Sequence, residues 1–330
     1  MSYYSNKRIL VAGGNGLVGI NLIKKLLDQG AIITSTVYKN KLRFKDKRVK
    51  YIECDLTRMK DCMNITRDID YVFLVAANSS GAETIEQRPL SHLTPNILIN
   101  SQMLEASYVN KIEKFCFISS NTVYPLTDFP VKENDVNYDF FEKYYIVGWM
   151  KLFSEKMCDM YNTKISNTMK TLVVRPGNLY GPYDKFKWSE SKVVAALIRK
   201  GIEKKVPFEV WGDGNDIKDF LYIDDFIEGM LVAFEQKAIS NPINIASGER
   251  TTINDVVDAI CDVLSIKKST IVYKSDKPTM IPRRLINIDK IKKETQWRPK
   301  ISIEEGISKT IDWYKNYYKD FKPENENAYL

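Results

Sequence analysis

A glycine-rich segment near the N-terminus constrains this chain more than any other feature. It lies directly after a short apolar run and opens a helix-like stretch. It comprises Gly13, Gly14, Asn15, Gly16, Leu17, Val18 and Gly19. In a G-x-x-G-x-x-G loop between strand and helix, the first glycine makes a tight turn, the second admits a pyrophosphate, and the third allows close packing. The helix N-terminus then faces the phosphates, so the segment predicts a dinucleotide-binding loop.

Apolar runs alternate with helical stretches through the first half of the chain. The pattern predicts strands at Arg8–Ala12, Ile32–Val37 and residues 71–76, 115–119 and 171–174. It predicts helices at residues 17–29, 95–108, 144–161 and 191–205. Such alternation is typical of an α/β fold with a doubly wound parallel sheet, helices covering both faces.

The pattern loosens after Pro176, where Gly and Pro punctuate the chain. We therefore expect a Rossmann-type dinucleotide-binding domain over residues 1–176, completed by parts of 212–246. A smaller α/β lobe, interleaved with it, is expected over residues 177–211 and 247–320. Residues 321–330, rich in Asn and Glu, are expected to form a loose tail.

Composition narrows the function classes. The chain has 330 residues, 44% of them hydrophobic and 28% charged, which is ordinary for a globular enzyme. Its five cysteines are scattered without a C-x-x-C pair, so we expect a reducing, cytoplasmic setting and neither a disulfide framework nor a metal site. The net charge of +7 is spread along the chain, which favours a small polyanion over nucleic acid. We expect no membrane association, because the N-terminal apolar run is too short for a span.

The choice of cofactor depends on the residues that follow the second and third strands. Asp55, beside Leu56, is suited to accept the adenine amino group, although it could instead cap a helix, as could Thr57. A carboxylate at the end of the second strand would bind the ribose diol of NAD and repel the 2′-phosphate of NADP. Instead, Lys39 and two further cations stand there, which tilts the argument toward NADP. Both cofactors stay open.

Several ordered motifs resemble the extended short-chain dehydrogenase/reductase family. They lie at residues 76–77, 119–125, 175–182, 211–214, 220–225, 244–248 and 297–299, besides the glycine loop. The chain is thus similar to the NAD-dependent nucleotide-sugar epimerases and dehydratases, most closely to the GDP-L-fucose synthase-like branch. The resemblance implies cofactor contacts from the glycine loop and from Lys39, Asp55, Leu56, Ala76, Ala77, Lys151 and Pro176. It also implies a homodimer, formed by the helices at 95–108 and 144–161.

The same resemblance implies catalytic roles for Ser120, which would bind the sugar oxygen, and Lys151, which would bind the nicotinamide ribose. The family places a tyrosine four residues before that lysine as the proton carrier, but here the position holds Val147. Tyr144 lies seven residues before Lys151, about 10 Å along a helix axis at 1.5 Å per residue. It is a candidate replacement or a packing aromatic. Ser120, Thr122 or a water molecule are further candidates.

Two more positions depart from the fucose synthase pattern. That enzyme epimerises with a Cys and a His, which fall here at Thr122 and Lys192. Threonine cannot exchange a carbon-bound proton, and lysine would need a strongly depressed pKa. The single histidine, His92, is expected on a helix surface. Double epimerisation is therefore disfavoured, and hydride transfer at one ring carbon, commonly carbon 4, is favoured.

Substrate binding is implied for one set of residues by the resemblance. These are Asn178, Lys192, Val210, Trp211, Lys218 and Arg284. Their types suit a nucleotide diphosphate, since phosphates attract cations and a base packs on an aromatic wall. The leading hypothesis is an NAD(P)-dependent oxidoreductase acting on a GDP-hexose or GDP-heptose. The alternatives are a nucleotide-sugar 4-epimerase or dehydratase, and a non-catalytic cofactor-binding sensor module, since Val147 removes the usual acid/base.

Overall fold

A seven-stranded parallel sheet forms the centre of the computed structural model, which describes residues 2–78, 90–165, 168–188, 190–236, 242–277 and 279–318. The described strands are Arg8–Ala12 (β1), Ile32–Val37 (β2), Val49–Glu53 (β3), Tyr71–Leu74 (β4), Lys114–Ile118 (β5), Lys170–Pro176 (β6), Asn178–Tyr180 (β7), Phe208–Trp211 (β8), Ile217–Lys218 (β9), Phe220–Tyr222 (β10), Ile243–Ile245 (β11), Thr251–Thr252 (β12) and Ile271–Lys274 (β13). The central sheet has the order β11-β6-β5-β4-β1-β2-β3. This order reverses between β1 and β4, which creates a crevice at the carboxyl ends of the strands.

Helices cover both faces of this sheet. The described α-helices are Leu17–Asp28 (α1), Met59–Ile65 (α2), Leu90–Val109 (α3), Tyr145–Met160 (α4), Val193–Ile202 (α5), Ile223–Glu235 (α6), Ile253–Leu264 (α7), Asp289–Thr295 (α8) and Ile303–Tyr317 (α9). Successive residues of β1 enter opposite cores: Ile9 and Val11 pack on the side of α1, and Leu10 and Ala12 on the side of α3. Burial on both faces explains why the strand is continuously apolar. The doubly wound α/β fold predicted from sequence is confirmed.

Helix α3 begins at Leu90, five residues before its predicted start, and contains Pro95. A proline removes the N–H that would bond to the carbonyl four residues earlier. Here that carbonyl belongs to Ser91, and it accepts a hydrogen bond from Asn78 Nδ2 at 2.9 Å instead. Asn96 then donates to the carbonyls of His92 and Asn78. Asn78, in the segment after β4, thus compensates for the hydrogen bond that Pro95 cannot make.

The remaining strands form three two-stranded sheets outside the central one. Strand β7 pairs with β10 in parallel, β9 with β12 antiparallel, and β8 with β13 in parallel. Helices α5, α7 and α9 pack together around them. Because β11 returns to the central sheet between these elements, the chain passes back and forth between the two regions.

Candidate active site

The glycine loop is tightly fitted at two of its glycines and open at the third. Gly13 has a φ of +99°, and a Cβ there would lie 2.5 Å from the Cα of Ala76. A Cβ at Gly19 would lie 2.6 Å from the Cα of Gly14. At Gly16, by contrast, the nearest described atom would be 3.9 Å away, and no side chain caps the N-terminus of α1. Within the described residues, the space beside Gly16 is open and the N-terminus of α1 is uncapped, which fits a pyrophosphate.

Asn15 joins this loop to the segment after β2. Its Nδ2 donates to the carbonyl of Lys41 at 3.0 Å, and its Oδ1 accepts from the amide of Arg43 at 2.8 Å. The Arg43 guanidinium turns away toward the carbonyl of Asp184, at 2.8 Å. Asn15 therefore orders the region where an adenosine ribose would lie. Leu17 and Val18 are half-buried in the first turn of α1.

Asp55 does not cap a helix, because α2 begins at Met59 with Arg58 as its cap residue. Its carboxylate accepts from the amide and hydroxyl of Thr57, at 3.0 and 2.6 Å. These hydrogen bonds lower the pKa of Asp55. Lys39 lies close enough to contribute to that lowering, and its Nζ sits 4.9 Å from the centre of the Tyr38 ring. Neighbouring Leu56 is buried.

Hydrogen bonds hold the side chains around the ends of two neighbouring strands, β5 and β6. Lys151, on α4, donates from Nζ to the carbonyl of Ile118 at the end of β5, at 2.8 Å. Asn121 Nδ2 donates to the carbonyl of Pro176 at the end of β6, at 3.0 Å. Ser120 lies between these contacts, half-buried, with Oγ accepting from the amide of Thr122 at 3.2 Å. The predicted cofactor and catalytic residues of β4, β5 and β6 therefore share one edge of the sheet, with Ala76 half-buried and Ala77 exposed there.

Lys151 stands in an apolar setting. Its Nζ lies 4.9 Å from the centre of the Phe117 ring. Burial lowers the pKa of Lys151 to about 8, against a smaller opposing effect of the Glu155 charge. Val147 lies one turn earlier on α4, at the family's tyrosine position.

Tyr144 lies just before α4, close to the main chain at Ile281 and to the guanidinium of Arg284. Burial raises the pKa of Tyr144 to about 12. Thr122 faces in another direction, and its buried Oγ1 has no hydrogen-bond partner among the described residues. The structure thus places Tyr144 beside the predicted phosphate-binding residues, whereas Lys151 bonds to the end of β5.

Two buried cations, Lys218 on β9 and Arg284, lie close enough that the Arg284 charge helps to lower the pKa of Lys218. Lys218 Nζ donates to the carbonyl of Ile281 and, at 3.2 Å, to Asp216. Arg284 is 1% exposed and donates to the carbonyls of Pro125 and Tyr124, at 2.7 and 2.9 Å. Its Nε is buried without a partner in the described part of the chain. Burial lowers the pKa of Arg284 to about 10 and that of Lys218 below its usual value. An anion placed here would relieve this charge.

The other predicted substrate residues are more dispersed. Asn178 is half-buried and donates from Nδ2 to the carbonyl of Asp219 at 3.0 Å. Trp211 is exposed, but Val210 is 1% exposed, so its side chain belongs to the core. Lys192 is exposed at the start of α5, near the buried carboxylate of Asp184.

The expectation that His92 lies on the surface is wrong. It is 5% exposed, and burial lowers its pKa, with a further effect from nearby Lys185. Its burial follows from the early start of α3, which places residue 92 inside the helix and against the end of β4.

Sequence reasoning missed a buried polar network behind the site. Glu155 accepts from Arg175 Nε at 2.9 Å, from Arg175 Nη2 at 2.6 Å, and from the hydroxyl of Ser119. Arg175 Nη1 donates to the Tyr124 hydroxyl at 3.0 Å, which donates to Asn244 Oδ1 at 2.5 Å. The available signal was Glu155, four residues after Lys151 and hence on the same helix face.

Within the described ranges, no group of three or more His, Cys, Asp or Glu side chains is arranged to hold a metal ion. None of the described helices combines the length and apolarity required to cross a bilayer.

Comparison with known proteins agrees with this geometry. The chain is 29% identical over 317 residues to putative GDP-L-fucose synthase 2 of Arabidopsis thaliana, covering 93% of this chain and 91% of that protein. It is 28% identical to GDP-mannose 3,5-epimerase of the same plant, covering 98% and 86%. The solved UDP-glucose 4-epimerase of Thermotoga maritima superposes with a TM-score of 0.84 at 25% identity, covering 93% and 98%. Residues 9–246 match the family described as NAD dependent epimerase/dehydratase, and the chain belongs to that family.

Proposed function

We propose that this protein is an NAD(P)-dependent oxidoreductase that transfers hydride at one ring carbon of a nucleotide-activated sugar. A GDP-linked hexose or heptose and carbon 4 are favoured. Two of the similar proteins named above act on GDP-sugars. The observation that carries the proposal is the shared sheet edge, where the open glycine loop, Ser120 and Lys151 converge.

One group of residues would bind the cofactor, and a second group would bind the sugar nucleotide. Gly13 would form the tight turn, Gly16 would admit the pyrophosphate, and the Asp55 carboxylate would face the adenine. A bound nicotinamide supplies the hydride acceptor or donor. Ser120 would orient the sugar oxygen beside Lys151. Lys218 and Arg284, both buried and partly desolvated, would hold the diphosphate from the other side.

NADP is favoured over NAD as the cofactor. The segment after β2 carries Lys39 and Lys41 and no carboxylate. Arg58 lies close enough for its charge to act on the pKa of Lys39. A 2′-phosphate would be attracted there, whereas a ribose diol would find no acceptor of the usual kind. Arg43 is directed toward Asp184 and is left out of this set.

A single hydride transfer is favoured over double epimerisation. By the resemblance, Thr122 and Lys192 stand where the fucose synthases have a Cys and a His, and a threonine hydroxyl cannot exchange a carbon-bound proton. Thr122 Oγ1 is buried, and Lys192 is exposed. A 4-epimerase or dehydratase would need proton-transfer groups beyond those brought together at the sheet edge.

A second candidate function is a non-catalytic sensor of nucleotide or redox state. The specific observation in its favour is Val147, which stands on α4 at the position of the usual acid/base. A sensor would bind cofactor and sugar nucleotide tightly and turn over neither.

The test uses the purified, cofactor-stripped protein. GDP-, UDP- and dTDP-sugars are offered with NAD or NADP in either redox state, and the absorbance of reduced nicotinamide is followed. We expect turnover with a GDP-sugar, together with no deuterium incorporation from D₂O at the carbons beside the reacting one. Tight cofactor binding without any redox change and without any altered sugar product would support the sensor. A changed sugar without net redox change would indicate an epimerase or dehydratase, and failure to bind either cofactor would refute all of these functions.

We also propose that the protein is a cytoplasmic homodimer. Tyr145, Trp149 and Phe153 follow each other at four-residue spacing on α4 and are 57%, 40% and 49% exposed. The ring of exposed Tyr138 stacks on Trp149 at 5.7 Å. An apolar stripe of this kind is costly to leave in water, and a second copy of α3 and α4 would cover it. All five cysteines are free thiols, which suits a reducing compartment.

A further inference from the structure

The first turn of α4 brings Val147 and Lys151 to the same side of the helix. Residues four apart on a helix are neighbours. Valine has no proton to exchange, and it is much smaller than the tyrosine that the family carries. The Lys151 amine therefore lies one turn after the missing phenol, on the same face of the helix.

The position of the Lys151 amine suits direct contact with a substrate. It donates one hydrogen bond, to the carbonyl of Ile118, which immediately precedes Ser119 and Ser120 in the chain. An ammonium group has three N–H donors. No other hydrogen bond of this amine is made by the residues that the structure describes, so two donors remain for a ligand beside Ser120.

The charges around Lys151 leave it free to release a proton. Glu155 faces it from the next turn of α4, but both oxygens of that carboxylate already bind Arg175 on β6, and one also binds Ser119. Strand β5 offers the Phe117 ring and main chain. The turn at 121–123 (Asn-Thr-Val) carries no titratable side chain.

The other candidate proton carriers are less well placed. The Tyr144 hydroxyl faces Ile281 and Arg284, and burial raises its pKa to about 12. Thr122 Oγ1 is enclosed, and Ser120 is an aliphatic alcohol without a described base to activate it. Neither hydroxyl can hold or release a proton alone near neutral pH.

We propose that Lys151, besides binding the cofactor, is the catalytic residue that exchanges the proton with the reacting oxygen of the sugar. This role rests on the proposed function. In the oxidation direction, the C–H bond breaks and its hydride passes to the nicotinamide, while the O–H proton passes to the neutral amine of Lys151. A ketone and an ammonium group result. In the reduction direction, hydride reaches the carbonyl carbon and the ammonium group gives its proton to the oxygen.

The pH dependence follows from the charge state of the amine. Because burial lowers the pKa of Lys151 to about 8, the neutral amine dominates above that pH and the ammonium below it. Oxidation needs the neutral amine, so its rate should rise with pH and level off above about 8. Reduction needs the ammonium group, so its rate should fall over the same interval.

The first test compares Lys151→Arg with Lys156→Arg, a control at an exposed position on the same helix. Arginine keeps the positive charge but does not release a proton. We expect Lys151→Arg to lower kcat by about 10²–10⁴ and to abolish the inflection near pH 8. The control should leave both unchanged. An unchanged inflection in Lys151→Arg, or a kcat within about threefold of the original, would overturn the assignment.

The second test needs no substrate. Competitive labelling of the full-length protein with trace acetic anhydride, followed by digestion and mass spectrometry, measures how the reactivity of each lysine varies with pH. We expect Lys151 to titrate near pH 8. A value above pH 10 overturns the lysine role alone. If Lys151 titrates near pH 8 but no sugar nucleotide is turned over, it is the proposed function that fails, and the catalytic role falls with it.

Discussion

Replacing Glu155 by Gln tests how much the buried network of Glu155 and Arg175 contributes to the free energy of unfolding. The side chains of Glu155 and Arg175 are 4% and 3% exposed, and two hydrogen bonds join them. The variant removes the only carboxylate found against Arg175 in the described structure and turns an amide N–H₂ toward its donors. An uncompensated buried charge costs about 3–5 kcal/mol.

The magnitude is large enough to measure by thermal unfolding. With an unfolding entropy of about 2.1 cal/mol/K per residue, a loss of that size over 330 residues lowers Tm by about 4–7 °C. The matched control is Glu228→Gln, which breaks the exposed pair with Lys300, 2.7 Å apart. Exposed pairs contribute about 0.2–1 kcal/mol, so the control should shift Tm by less than about 2 °C.

The double variant Glu155→Leu/Arg175→Met separates two explanations. If the cost comes from leaving one charge buried and unpaired, removing both charges should recover much of the stability lost in Glu155→Gln. Equal Tm shifts in Glu155→Gln and Glu228→Gln would refute the reasoning, because burial would then carry no energetic consequence at this pair.

Three further predictions concern binding and assembly. Gly13→Ala should weaken cofactor binding at least tenfold by calorimetry, because the added Cβ would lie 2.5 Å from Ala76. The control Gly30→Ala, whose added Cβ would lie 3.5 Å from its nearest neighbour, should bind the cofactor normally. Equal affinities in the two variants would contradict the proposed role of the loop. Lys39→Glu should shift the ratio of NADP to NAD affinity toward NAD by about tenfold. The new carboxylate repels the 2′-phosphate of NADP and offers a hydrogen-bond acceptor to the ribose diol of NAD. An unchanged ratio would show that Lys39 does not belong to the cofactor site. Trp149→Glu should convert the dimer to a monomer in sedimentation velocity, since it places a charge on the apolar stripe; an unchanged sedimentation coefficient would place the interface elsewhere.

Some features of the site were readable in advance because they depend on local geometry. The glycine loop was found from its spacing, since only glycine tolerates the φ of Gly13 and the close approach to Ala76. Lys151 and Val147 were identified through the resemblance to the family, which places a tyrosine four residues before the lysine. The predicted strands β1 and β2 have the observed bounds because their apolar runs are short and clearly flanked.

Other features depended on partners distant in sequence. Asp55 could have capped a helix, and the structure instead bonds it to Thr57 because α2 starts later. His92 is buried in α3, and Asn78, four residues after β4, accepts and donates hydrogen bonds that support the helix before and at Pro95. No pattern within residues 90–96 reveals that support.

The sequence by itself determined the parallel sheet and the glycine loop, because each follows from periodicity or from contacts between near neighbours. The position of the lysine was implied by the resemblance to the family. Only the tertiary structure decided which charges are buried and what they face. Arg284 is directed to the carbonyls of Tyr124 and Pro125, and Glu155 is occupied by Arg175 and Ser119 rather than by Lys151. Charge state is set by the solvent and the partners that surround a group, and those are brought together only by the fold.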